Sequence, residues 1–254
     1  MDKISTQIWK IVCQSLVAFA FLFLLWGIAY LSIGNELVLP SLSESLLEMG
    51  KLFMKASFWQ ALLNTCLRSL YAFLISLIFG GIFAVIAYMV PTFQHIFTPI
   101  ISVFRTLPIL AVLLILLCFL GAGEAPIAVA CLSLFPILYT GVLAGLSSVD
   151  ENLNKVARLE GASLFTRIVK IYLPLSSPYI LREAGGALAF SLKLVVSAEV
   201  LAQTAKSLGG MMQEAKIYGE LPTLFALVLI TFLIGFCVEI LSCLCVEFLR
   251  KKMK

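Results

Sequence analysis

Residues Asp150 to Ile180 read DENLNKVARLEGASLFTRIVKIYLPLSSPYI, the longest polar interval in a chain that is otherwise nearly all apolar. Local chemistry divides this stretch into two short helices. Asp150 is placed to cap the first, and Glu151 puts a carboxylate in its first turn, where the positive end of the helix dipole favours it. Gly161 stands where that helix should stop, because glycine takes the left-handed conformation without steric cost. Ser163 can cap a second helix that carries Phe165, Ile168, Val169 and Tyr172 at helical spacing. Pro174 and Pro178 are expected to close the segment and start a new apolar run.

Composition sets the solvent. The chain has 254 residues, of which 61% are hydrophobic and 13% charged, and its mean hydropathy is +1.07. Soluble domains are nearer half apolar and a quarter charged, so this is an all-α polytopic membrane protein. A helical span needs about twenty mostly apolar residues. The length therefore allows about six spans with short loops and leaves no room for a soluble catalytic domain. The net charge of +4 is small, and no basic-aromatic patch suggests nucleic acid.

The apolar runs place the spans. The first covers about residues 11–31, is too long for a signal-peptide core, has no small-residue cleavage site after it and is read as retained. Trp9, Trp26 and Tyr30 sit as interfacial aromatics would. Residues 35–60 follow as an amphipathic surface helix capped by Ser41 or Ser43, or as a solvated connector. The remaining spans cover about 61–89, 93–120, 127–146, 178–201 and 223–248. Gly80-Gly81 offers close helix packing in the second, Pro99 and Pro108 are kink positions in the third, and residues 121–126 form the turn after it. Two units result: an N-terminal span with an extracytoplasmic amphipathic segment (1–60), and a core (61–254) whose polar loop covers 147–177.

Lysine and arginine give the orientation. One side of the six-span arrangement carries Lys3, Lys10, Lys155, Arg158, Arg167, Lys170, Arg182, Arg250, Lys251, Lys252 and Lys254, and the other Lys51, Lys55, Lys206 and Lys216. The positive side is cytoplasmic. Both termini and the Asp150–Ile180 loop are therefore expected inside.

The same loop carries a family pattern. Gly161, nine residues, Ile171, one residue and Leu173-Pro174 resemble the "EAA" loop of binding-protein-dependent ABC importer permeases, which reads Glu-Ala-Ala, three residues, Gly, nine residues, Ile, one residue, Leu-Pro. Lys155, Val156 and Ala157 stand on the Glu-Ala-Ala positions, so the second half fits fully and the first half departs. Val103 to Pro108 is similar to the short R-x-[IL]-P element of these permeases. Ala198-Glu199, Ser207-Leu208-Gly209 in place of Gly-Leu-Gly, and Glu239 resemble the sulfonate, taurine, nitrate and thiamine-precursor permeases.

The resemblance implies the type I ABC importer (MetI-like) permease fold in a bacterial plasma (inner) membrane. It implies that Lys155, Val156, Ala157, Glu160, Gly161, Ala162, Ile171, Leu173 and Pro174 belong to a cytoplasmic coupling loop that docks on an ATPase. The implied partners are ABC ATPase subunits, an extracytoplasmic substrate-binding protein, a second permease copy and the lipid bilayer. A secondary transporter or a non-transporting assembly or anchor protein are the alternatives.

The residues themselves add three readings. No GxxxxGK[ST] phosphate loop occurs, so ATP and Mg would be used by partner subunits, with no cofactor on this chain. The seven cysteines mostly lie in apolar runs, none forms a CxxC pair, and the single His95 has no metal-site partner, so neither a metal site nor an enzyme is expected. Lys193 and Glu199 lie in the fifth span and Arg68 in the second. Ionisable groups there face the protein interior or a wet path. Lys193 and Glu199 are candidate pathway residues, with a structural ion pair to another span as the alternative.

Overall fold

The computed structural model describes residues 17, 20–35 and 38–252. The expectations for Lys3, Trp9, Lys10, Cys13 and Lys254 lie outside the described residues.

Every described element is helical. In hydrocarbon each backbone N–H and C=O must be satisfied inside its own segment or a closed barrel. The order is α1 (Ala20–Ile33), α2 (Leu42–Phe53), α3 (Ala56–Met89), α4 (Pro91–Thr106), α5 (Ile109–Ser147), α6 (Glu151–Leu159), α7 (Leu164–Arg167), a π turn (Ile168–Tyr172), α8 (Leu173–Ala202), α9 (Leu208–Ile217) and α10 (Leu221–Lys252). Ser41 is the cap of α2. Its hydroxyl accepts from the Glu44 N–H at 3.2 Å, and the Glu44 carboxylate accepts from the Ser41 N–H at 3.2 Å, the reciprocal arrangement of a capping box. One face of α2 is buried: Leu52 joins Phe58, Leu208 and Leu227 in a shared core.

Four helical stretches are long and apolar enough to cross a bilayer: Ala56–Met89, Ile109–Ser147, Leu164–Ala202 and Leu221–Leu244. The second is two passes. Gly121 sits inside it at φ 72°, ψ 176°, which no α-helical residue adopts. The arms fold back on each other there, so that Leu113 packs with Ala125 and Val129 and Arg105 reaches Thr140 at 2.8 Å. The first arm continues α4 past a break at Leu107-Pro108. With α1, a shorter apolar helix, the described residues provide six passes.

The packing is small-inside and large-outside. Along α3 the buried residues are Phe58, Ala61, Thr65, Ser69, Ala72, Phe73, Ser76, Gly80, Ala84 and Ala87, a stripe at helical spacing in which all but the two phenylalanines are small. Leu63, Leu70, Leu74, Ile78 and Ile82 are exposed. Lipid is as apolar as leucine, so close contact rather than hydrophobicity selects the inner face. At Gly80 a Cβ would lie 3.1 Å from the Tyr139 backbone nitrogen. Ser76 Oγ donates to the Cys131 carbonyl across the same seam at 3.1 Å.

Pro174 and Pro178 do not close the polar segment. The helix runs from Leu164 to Ala202 without a break, and both prolines lie in the first turns of α8. The π turn immediately before them is the accommodation: Leu173 N–H bonds the Ile168 carbonyl five residues back. The wider register relieves a turn in which Pro174 can give no N–H and its ring would crowd the preceding carbonyls.

Candidate coupling loop and membrane pathway

The loop is built as its residues dictate. Asp150 Oδ1 accepts from the Asn152 N–H at 2.9 Å and starts α6. Gly161 ends it at φ +75°, and the Ala162 N–H bonds back to the Ala157 carbonyl at 3.0 Å, the six-to-one bond of a Schellman cap. Ser163 Oγ then accepts from the Thr166 N–H at 3.2 Å and starts α7. Tyr88 at the end of α3 meets Tyr172 edge to face at 5.0 Å between centroids, which anchors the loop to the bundle.

All nine residues assigned to the loop from its pattern gather at this end. Val156, Glu160, Gly161, Leu173 and Pro174 are exposed, Ala162 and Ile171 half-buried, and Ala157 buried; Lys155 lies in α6, its side chain outside the described residues. Large apolar side chains stand in the open here: Leu159 is 88% exposed, Phe165 75% and Val156 54%.

The opposite end of α8 holds a polar knot. Glu199 is 0% exposed. Its carboxylate accepts from Thr65 Oγ1 at 2.9 Å, from Arg68 Nη1 at 3.1 Å and from the Gly209 N–H at 3.3 Å. The neighbouring Leu208 N–H bonds Thr65 Oγ1 at 3.0 Å, and the Gly210 N–H bonds Ser207 Oγ at 2.8 Å. The first amides of α9, which no helix can satisfy internally, are thus met by side chains, one of them an anion at the positive end of the dipole. A Cβ at Gly209 would meet Glu199 Cβ and lie 2.6 Å from the Val200 nitrogen, and one at Gly210 would meet the Thr204 carbonyl. Leu208 and Met212 fold inward into the core. Asn64 holds the Lys206 carbonyl at 3.0 Å, and Thr204 reaches Ala122 at the tip of the α5 hairpin at 2.7 Å. Thr65 and Gly209 escape sequence reasoning as partners of Glu199, because Thr65 lies 134 residues away. The paired glycines after Ser207 are the only local hint.

Lys193 and Glu199 take different faces of α8. Glu199 points inward, whereas Lys193 lies on an exposed stripe with Gly186, Phe190, Ser197 and Leu201. Nearer the loop end, α5, α8 and α10 enclose a cavity of about 600 Å³, lined in part by Arg182, Glu183, Gly186, Phe190 and Glu239.

A six-pass helical bundle with a capped polar loop at one end and a charged, uncovered stripe through its middle has the build of a membrane transport permease. Residues 76–250 match the family described as binding-protein-dependent transport system inner membrane component. The chain belongs to that family and is the permease subunit of an ABC importer. It is 29% identical over 221 residues to the taurine transport system permease protein TauC of Escherichia coli, covering 85% of this chain and 80% of that one. It is 24% identical over 207 residues to a putative aliphatic sulfonates transport permease protein, SsuC, of Bacillus subtilis, covering 81% and 74%. The fold is shared with the MetNI methionine ABC transporter in inward-facing conformations, at a TM-score of 0.66 and 16% identity over 75% of this chain and 96% of that one.

Proposed function

We propose that this subunit couples to a separate ATPase through α6 and α7, and that two copies enclose a translocation pathway along the exposed stripe of α8. The carrying observation is the exposure of Val156, Leu159 and Phe165 around the Gly161 turn. These side chains lie at the polar, cation-rich end of the bundle, Val156 and Leu159 before the Leu164–Ala202 stretch and Phe165 in its first turn. Lipid does not cover them there, and a protein cleft would. The cations around them support a cytoplasmic position for this end. The α9 end then faces outward, toward a substrate-binding protein. A closed C2 pair is the common solution for a half-pathway subunit. ATP and Mg belong to the partner subunits, and this chain contributes conformational change rather than bond chemistry. Similarity to taurine and sulfonate permeases supports a small organic sulfonate as cargo.

Copurification tests the coupling role. The double variant Leu159→Asp, Phe165→Asp should reach the membrane at the wild-type level, because neither side chain packs in the core. It should retain less than about a tenth of the bound ATPase, as expected when buried apolar anchors are lost from an interface. Undiminished ATPase recovery would refute the docking surface.

A further inference from the structure

Lys193 lies nine residues before Ala202, the last residue of α8. At 1.5 Å per residue that is about 14 Å, near the middle of a hydrocarbon layer about 30 Å thick. The residue is exposed in the chain and shares its stripe with Gly186, Phe190, Ser197 and Leu201. An ammonium at this depth does not face lipid tails without a large cost, and its side chain is too short to reach either surface. The stripe therefore has to be wet or polar where Lys193 stands.

No described carboxylate neutralises it. Glu199, six residues on, is buried on a different face and held by Arg68, Thr65 and Gly209. Among the described residues Lys193 forms no ion pair. Arg105, another exposed cation within the spans, is bonded to the Thr140 hydroxyl rather than to an acid. Two further carboxylates of α8 and α10, Glu183 and Glu239, line the cavity toward the loop end together with Arg182, and Glu247 lies two turns beyond Glu239 toward the end of α10. Glu183 is ten residues from Lys193, about 15 Å along the helix. The charge at mid-depth is thus positive and uncompensated, and a second copy would double it.

We propose that Lys193 is the charge selector of the pathway and that the transported molecule presents an anionic group to it midway through the membrane. This rests on the reading that the α8 stripe lines the pathway. In a narrow, low-dielectric passage one unpaired cation raises the local concentration of anions and repels cations. Cation-lined constrictions select anions on this principle. Phe190, one turn toward the loop end, offers an apolar contact for the rest of a small organic anion, and Ser197, one turn the other way, a hydrogen bond.

The test needs no knowledge of the cargo. A cysteine replaces Ser197 in the full chain, in membranes, with Cys13, Cys66, Cys118, Cys131, Cys237, Cys243 and Cys245 removed. Its reaction rates with an anionic sulfonatoethyl and a cationic trimethylammonioethyl methanethiosulfonate are each divided by the rate with a free thiol in water. With Lys193 present the anionic reagent should be favoured at least about tenfold, the effect of one nearby charge at low dielectric. Lys193→Met should abolish the preference and Lys193→Arg should keep it. Labelling with an unchanged ratio in Lys193→Met overturns the selector and leaves the pathway standing. Failure of both reagents to label Ser197→Cys means the stripe is not wet, and the pathway reading falls with the selector. If Lys193→Met does not accumulate, Lys193→Gln serves in its place with the same expected loss of preference.

Discussion

Glu199→Gln isolates the contribution of charge to the knot at the α9 end. The substitution keeps shape and volume, so it opens no cavity. One carboxylate oxygen accepts from Thr65 at 2.9 Å and from Gly209 at 3.3 Å, and the other from Arg68 at 3.1 Å. Glutamine has a single acceptor oxygen. With that oxygen toward Thr65 and Gly209, its NH2 opposes the Arg68 guanidinium, donor against donor. In the reverse orientation the Gly209 N–H loses its acceptor. A hydrogen bond to a charged group contributes about 1.5–3 kcal/mol. Losing a partner to a fully buried ion costs more, but the Arg68 side chain is 19% exposed and water recovers part of the loss. We expect about 2 kcal/mol, which is roughly a 30-fold change in the opening equilibrium of the α9 start. Hydrogen–deuterium exchange of the Leu208–Met212 segment in detergent should show that loss of protection, while amides in the middle of α3 stay unchanged. Lys193→Met should leave the same segment as it is. Protection within about threefold of wild type in Glu199→Gln would refute the view that the buried carboxylate holds α9 in place.

Two more outcomes follow from the loop. Gly161→Val should cost about 1–2 kcal/mol locally through its left-handed backbone alone, because nothing lies within 4 Å of the added Cβ. Membrane levels should be normal and ATPase recovery low, with Gly161→Asn restoring recovery since asparagine tolerates this conformation; equal recovery for valine and asparagine would remove the role given to the turn. Sidedness is checked by impermeant thiol labelling in the cysteine-free chain. A cysteine at Ser163 should react only in opened or inverted membranes and one at the exposed Glu214 in intact cells, and labelling of Ser163→Cys from outside would remove the coupling-loop assignment.

The elements of the polar loop were legible because their causes are local. A cap acts over two or three residues, and Asp150, Gly161 and Ser163 do what their side chains permit wherever the chain goes. The membrane environment was legible too, because it is a property of composition, and the family pattern lay in a spacing that any reader of the residues can count. Local rules misjudged Pro174 and Pro178. Proline normally ends a helix, but the π turn before Leu173 accommodates Pro174 and the helix runs on through Pro178. The inward faces of the spans could not be read from hydropathy. On α3 both faces are apolar, and the buried side is chosen by where alanine, serine and glycine let α5 approach. Nor could the roles of the two charges on α8 be told apart in the sequence. Glu199 becomes a structural anion because Thr65 and Arg68, more than 130 residues earlier, arrive beside it. Lys193 stays uncovered because no described side chain pairs with it. Which charge is spent on holding the fold, and which is left facing the membrane interior, is set by contacts between distant helices, and those exist only once the bundle has assembled.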